Sequence, residues 1–215
     1  MYTCCHMKNI FKKIALGAAV VLAILIIAFV QFFNRAPDRV VPEGSVVVSP
    51  ANGDVIHIER VESNEVSFFK KDTENVLTIN DIEPPYNIVV IEMDPSDVHV
   101  QRTPIAGEII YQEHFDGAHK NALSSENVEQ LANVNEKNVI VIENEDLSVG
   151  VIQVAGMAAR RIRSFVEVGD ALGKGDIYGR IILGSQVVII LPDEVEVMAE
   201  LGDVLTDGET IVGIY

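Results

Sequence analysis

The chain has 215 residues, 48% of them apolar, and its two cysteines, Cys4 and Cys5, are adjacent near the N-terminus; this excludes a disordered polymer and a disulfide-stapled mini-protein. Sixteen Lys and Arg against thirty-two Asp and Glu leave a net charge of −16, which excludes a nucleic-acid-binding surface, because such a surface needs a basic face to displace counterions. No metal site is expected, since adjacent Cys4 and Cys5 with His6 do not form a cage.

The first element is an unbroken apolar run over 14–30, extended past Gln31 by Phe32 and Phe33. Twenty helical residues at about 1.5 Å each span roughly the 30 Å of a bilayer core. We therefore expect a basic segment over 1–13 and a membrane anchor over 14–33. A cleaved signal peptide is the competing reading, but the run exceeds the usual apolar region of one and no small-residue cleavage site follows. Lys8, Lys12 and Lys13 precede the run and Arg35 and Arg39 follow it, a difference too small to set orientation.

From residue 43 onward eleven basic residues face thirty-one acidic ones, a balance of −20. An anionic membrane face repels such a body, so the basic residues Arg102, Arg160, Arg161, Arg163, Lys174 and Arg180 matter if it works on lipids. Short β-branched stretches predict strands over 46–48, 55–58, 86–93, 107–111, 139–143, 149–154, 177–183 and 187–191. Residues 59–85 are polar and turn-rich and read as a surface excursion. One short, weakly amphipathic helix is expected over 121–133. The class is mainly β, a single domain over 43–215 behind the transmembrane helix.

Two internal echoes refine that class. Ser49-Pro50-Ala51-Asn52-Gly53-Asp54-Val55-Ile56 returns 54 residues later as Thr103-Pro104-Ile105-Ala106-Gly107-Glu108-Ile109-Ile110. Gly169-Asp170-Ala171-Leu172 returns 33 residues later as Gly202-Asp203-Val204-Leu205. Paired β-units entered through tight glycine turns resemble the barrel-sandwich modules that carry biotin or lipoate. Lys174, between two glycines, lacks the Met or Ala neighbour of a carrier lysine.

Several segments fall in a recognisable order: Phe32-Phe33-Asn34-Arg35-Ala36-Pro37; Ser49-Pro50-Ala51-Asn52-Gly53; Asp97-Val98-His99 with Arg102, Pro104 and Gly107; Ala155-Gly156 with Arg160 and Arg161; and Leu183-Gly184-Ser185. Together, from Phe32 to Tyr215, they resemble the small phosphatidylserine decarboxylases, including those acting on archaetidylserine. The resemblance implies that Ser185 attacks the carbonyl of Gly184, that the chain is cut between 184 and 185 into a β and an α chain, and that Ser185 becomes a pyruvoyl cofactor. That group would accept the substrate amine and draw off electrons as carbon dioxide leaves. Glycine before the serine leaves the attacked carbonyl unshielded.

By the same resemblance His99 is the acid–base residue, with Asp97 expected on one strand face beside it to orient the imidazole. Arg160, Arg161, Arg163 and Arg180 are expected to grip the lipid phosphate, which guanidinium groups can hold with two donors at once. Asn52 stands where the family's usual Ser-Pro-Ala-Asp-Gly carries an aspartate of the self-processing machinery. If that carboxylate acts on a histidine or on Ser185, Asn52→Asp accelerates cleavage. Two functions stay open: a membrane-anchored lyase converting a serine phospholipid to its ethanolamine form, and a catalytically silent relative that binds lipid head groups or a partner protein. Homo-oligomer formation is left open.

Overall fold

The computed structural model describes residues 2–70, 73–116, 135–155, 162–181 and 185–215. The helix expected over 121–133, and Gly184, Arg160 and Arg161, lie outside them. The chain divides into two units, Met1–Arg35 and Ala36–Tyr215.

The first unit is helix α1, Tyr2–Phe33. Its stretch Leu16–Phe33 has a mean hydropathy of 2.7 and is long and apolar enough to cross a membrane. The helix ends where polar side chains take its last carbonyls: Asn34 Nδ2 donates to Val30 at 2.7 Å and Arg35 to Phe32 at 2.8 Å, the orphan acceptors that every helix C-terminus leaves.

The second unit is built from β1 (Val46–Val48), β2 (Gly53–Val61), β3 (Glu65–Lys70), β4 (Thr73–Thr78), β5 (Tyr86–Met93), β6 (Val100–Arg102), β7 (Gly107–Phe115), β8 (Lys137–Glu143) and β9 (Ser148–Val154). It continues with β10 (Ile162–Ser164), β11 (Ala171–Leu172), β12 (Ile177–Ile181), β13 (Ser185–Pro192), β14 (Glu196–Val197), β15 (Val204–Leu205) and β16 (Ile211–Ile214). Eight strands form one curled antiparallel sheet in the order β11-β7-β8-β9-β13-β5-β2-β15. Small sheets β1-β16-β14 and β10-β12-β6 and the hairpin β3-β4 complete the unit. The mainly β, barrel-sandwich-like expectation holds.

Both faces of the central strands are covered. Val187, Ile189 and Leu191 of β13 join one apolar cluster with Val89, Ile91 and Met93 of β5, while Val188 and Ile190 join a second with Tyr86, Ile88 and Val90. Burial on both faces explains why β13 reads as a continuous β-branched run without alternation.

The second cluster overturns the reading of residues 59–85 as a surface excursion. β2 runs on to Val61, and hairpin β3-β4 buries Val66, Phe68 and Leu77, with Ile79 and Ile82 following. Val66, Phe68 and Leu77 point one way while Glu65, Ser67 and Glu74 point to solvent, the period-two pattern of a half-buried ribbon.

The two sequence echoes are one duplicated contact. Gly53 opens β2 and Gly107 opens β7; a Cβ on either would lie 2.2 Å from the Glu92 carbonyl oxygen or 2.3 Å from that of Glu143, so no other residue fits. β15 pairs with the start of β2, and β11 with the start of β7. Val55 N donates to Asp203 O at 2.9 Å and Gly202 N returns to Val55 O at 2.8 Å; Ile109 N donates to Asp170 O at 2.9 Å and Gly169 N returns to Ile109 O at 2.8 Å. Lys174 lies in the corresponding turn region before β12 and donates to the Gly44 carbonyl at 2.9 Å.

Lys137 at the start of β8 is 1% exposed, and burial pushes its ammonium down to about 8. The folded protein therefore binds fewer protons than the unfolded chain between pH 8 and the ordinary lysine value near 10.5, so this group makes stability rise with pH across that window. Thermal melts of wild type and Lys137→Met from pH 7 to 10.5 test this. The variant is expected to melt higher at pH 7, with the difference shrinking towards pH 10.5. A constant difference contradicts the assignment.

Candidate active site

Ser185 is the first residue of β13 and is 2% exposed. Its backbone lies opposite Met93 in the ladder between β13 and β5, and its hydroxyl donates to the Met93 sulfur at 3.1 Å. His99, also 2% exposed, sits just before β6. Its carbonyl accepts Ile181 N at 3.1 Å and Gln101 Nε2 at 3.1 Å. Gln101 Nε2 is also 3.7 Å from the Met93 sulfur. Ser185 and His99, 86 positions apart in the chain, thus belong to one buried network joined through Met93 and Gln101.

The imidazole is fixed by the backbone. His99 Nδ1 lies 2.8 Å from the carbonyl oxygen of Asp97, a group that can only accept, so Nδ1 carries the hydrogen and the basic lone pair of the neutral ring sits on Nε2. This corrects the expected role of Asp97. The residue lies in a turn rather than on a strand, and its carboxylate caps that turn by accepting Asp94 N at 2.7 Å.

Asn52 belongs to a different cluster. Its Oδ1 accepts Arg39 at 3.2 Å and Asp207 N at 2.8 Å. The Asp207 carboxylate, fully buried, is paired with Arg39 and with Arg102 Nε at 2.7 Å. Arg102 spends its other nitrogens on the carbonyls of Gly175 at 2.8 Å and Pro37 at 2.7 Å. Among the hydrogen bonds of the described residues, none links Asn52 to Ser185 or His99. Gly208, at φ +73°, leaves room for this arginine, because a Cβ there would lie 2.8 Å from Arg102 Cδ.

Of the four arginines expected to hold phosphate, Arg163 and Arg180 are described. They face each other across β10 and β12, and Arg180 also pairs with Val100, the neighbour of His99. Burial, and next the Arg163 charge, push the Arg180 guanidinium below its ordinary range. Two like charges directly opposite in a ladder are unfavourable.

The sequence matches a known family over most of its length. The phosphatidylserine decarboxylase family profile matches residues 26–213. The chain belongs to the phosphatidylserine decarboxylase family. It is 36% identical over 191 residues to a protein of Methanocaldococcus jannaschii named as an archaetidylserine decarboxylase proenzyme, covering 88% of this chain and 91% of the relative. It is 37% identical over 194 residues to the phosphatidylserine decarboxylase proenzyme of Carboxydothermus hydrogenoformans, covering 89% and 82%. Phosphatidylserine decarboxylases are carboxy-lyases. Motif reading did not single out Met93 and Gln101, which contact Ser185 and His99, or Arg39 and Asp207, which contact Asn52. Only the buried-strand position of Met93, at the end of an apolar run, carried a signal in the sequence.

Proposed function

We propose that the chain is a proenzyme that cuts itself between Gly184 and Ser185 and then decarboxylates a serine phospholipid, phosphatidylserine or archaetidylserine, to its ethanolamine form at a membrane to which α1 anchors it. The observation that carries this reading is the buried Ser185 at the head of β13, joined through Met93 and Gln101 to the main-chain carbonyl of His99.

In the cleavage, Ser185 Oγ adds to the Gly184 carbonyl carbon, the peptide C–N bond breaks and its nitrogen takes up a proton, leaving an ester. Loss of the Ser185 Cα proton then breaks the Cβ–O bond and releases the Gly184 carboxylate. Water replaces the nitrogen, which leaves as ammonia, and a ketone remains at residue 185. The surroundings fit such a group: Ser185 is buried, its polar neighbour is a thioether, and a neutral methyl ketone needs no counter-ion where an ammonium would. The pyruvoyl group supplies the electron sink for loss of carbon dioxide.

His99, with Nδ1–H held by the Asp97 carbonyl, takes up a proton on Nε2 and passes it to the carbon that loses carbon dioxide. Arg163 and Arg180 on the strands beside it supply the positive charge that a phosphodiester requires in a body of net charge −20. The silent-relative reading rests on Asn52 in place of the family's aspartate, a position that the structure ties to Arg39 and Asp207.

Intact mass of the purified protein decides between them. Cleavage yields fragments 1–184 and 185–215, the second blocked to amino-terminal sequencing. A chain that stays at 23.5 kDa after prolonged incubation overturns the lyase reading.

A further inference from the structure

Met93 follows Val89 and Ile91 on one buried face of β5. It ends β5, is 2% exposed and lies in the main apolar cluster. Its sulfur nevertheless takes two polar hydrogens, from the Ser185 hydroxyl at 3.1 Å and from Gln101 Nε2 at 3.7 Å. Among the described residues the partner of that hydroxyl is a thioether.

Behind Gln101 stands a row of side-chain amides. Gln153 Nε2 donates to Gln101 Oε1 at 2.8 Å, Asn138 Nδ2 to Gln153 Oε1 at 3.0 Å, and Gln112 Nε2 to Asn138 Oδ1 at 3.4 Å. Gln101, Gln153 and Asn138 are all fully buried. Every amide donates in the same direction, so the dipoles add and the donor end points at Met93 and the His99 carbonyl. Gly179 keeps this row uncrowded: a Cβ there would lie 3.0 Å from Gln153 Nε2. Buried amides are costly unless satisfied, and this row satisfies each member while fixing one sulfur atom.

We propose that Met93 is a positioning residue for self-cleavage, its sulfur holding the Ser185 hydroxyl in place until it attacks. The inference rests on the reading of Ser185 as the self-cleaving nucleophile. A thioether suits the task because it is a weak acceptor. It directs the O–H without holding it strongly, so little is lost when the oxygen swings onto the carbonyl. Sulfur does not take the proton, so the hydroxyl stays neutral until a base receives it.

The test compares cleavage time courses by intact mass for wild type, Met93→Leu and Met93→Gln, with thermal melts of each. Leucine keeps the volume, a swap cores tolerate at small cost, but removes the acceptor; glutamine restores one on an unbranched chain. Met93→Leu is expected to slow cleavage about tenfold or more, the scale on which a misplaced reacting group loses rate, and Met93→Gln to be faster than Met93→Leu. Equal rates for wild type and Met93→Leu overturn the inference and leave the lyase reading intact. Equally slow Leu and Gln variants, or rates that follow the melting temperatures, also overturn it, because packing alone then accounts for the residue. A wild type that never cleaves overturns the lyase reading itself, and this inference with it.

Discussion

Ser185→Ala is expected to leave the protein as one uncut chain of 23.5 kDa with no decarboxylase activity, while its fold and melting temperature change little. The two halves of this result come from different physics. Alanine has no oxygen to add to the Gly184 carbonyl, so neither the cut nor the cofactor can form. The fold loses one hydrogen bond, from a hydroxyl to a sulfur at 3.1 Å, at the low end of the roughly 0.5–1.5 kcal/mol that a buried hydrogen bond contributes. The ladder that holds residue 185 opposite Met93 is backbone to backbone and is untouched. Intact mass and a circular dichroism melt read both halves. Fragments appearing in the alanine variant would mean that another residue makes the cut.

The second large effect lies away from Ser185. Asp207→Ala is expected to destabilise the protein by about 3–5 kcal/mol, the usual cost of removing one partner from a buried ion pair. For a unit of this size that lowers the melting temperature by on the order of ten degrees. The carboxylate is fully buried and answers two guanidinium groups, so its loss leaves both Arg39 and Arg102 short of a counter-charge. A melting temperature within two or three degrees of wild type, roughly the shift of a 1 kcal/mol change, would contradict this.

Asn52→Asp makes the informative companion. A carboxylate oxygen accepts from Arg39 and from Asp207 N as well as the amide does, so the substitution is expected to leave the cleavage rate close to wild type. This departs from the acceleration that family resemblance alone leads one to expect, because the structure engages position 52 with the arginine cluster.

Much of the sheet was readable because its central strands are unambiguous: β5 was expected over its full length, and β13 and β9 differ only at their ends. The glycine echoes were visible because the same close backbone approach occurs twice. Hairpin β3-β4 was hidden by composition, since Glu65, Ser67 and Glu74 on its wet face made a half-buried ribbon look like loop. Ser185 and His99 were legible through motifs, each local in sequence. The contacts that give them an environment were not: Met93 meets Ser185, and Arg39 meets Asp207, only because distant strands become neighbours. Nothing in the spacing of those residues encodes that meeting. Asp97 failed for a related reason, as period-two reasoning assumed a strand where the chain makes a turn.

The place of β13 in the sheet has a consequence for timing during synthesis. Its two neighbours, β9 and β5, both precede it in the chain, so until residues 185–192 leave the ribosome the sheet has an open slot with two unpaired edges. Ser185 is carried into that slot by the strand that closes it. On the self-cleavage reading proposed above, the cut therefore waits until β13 has joined the sheet across its middle.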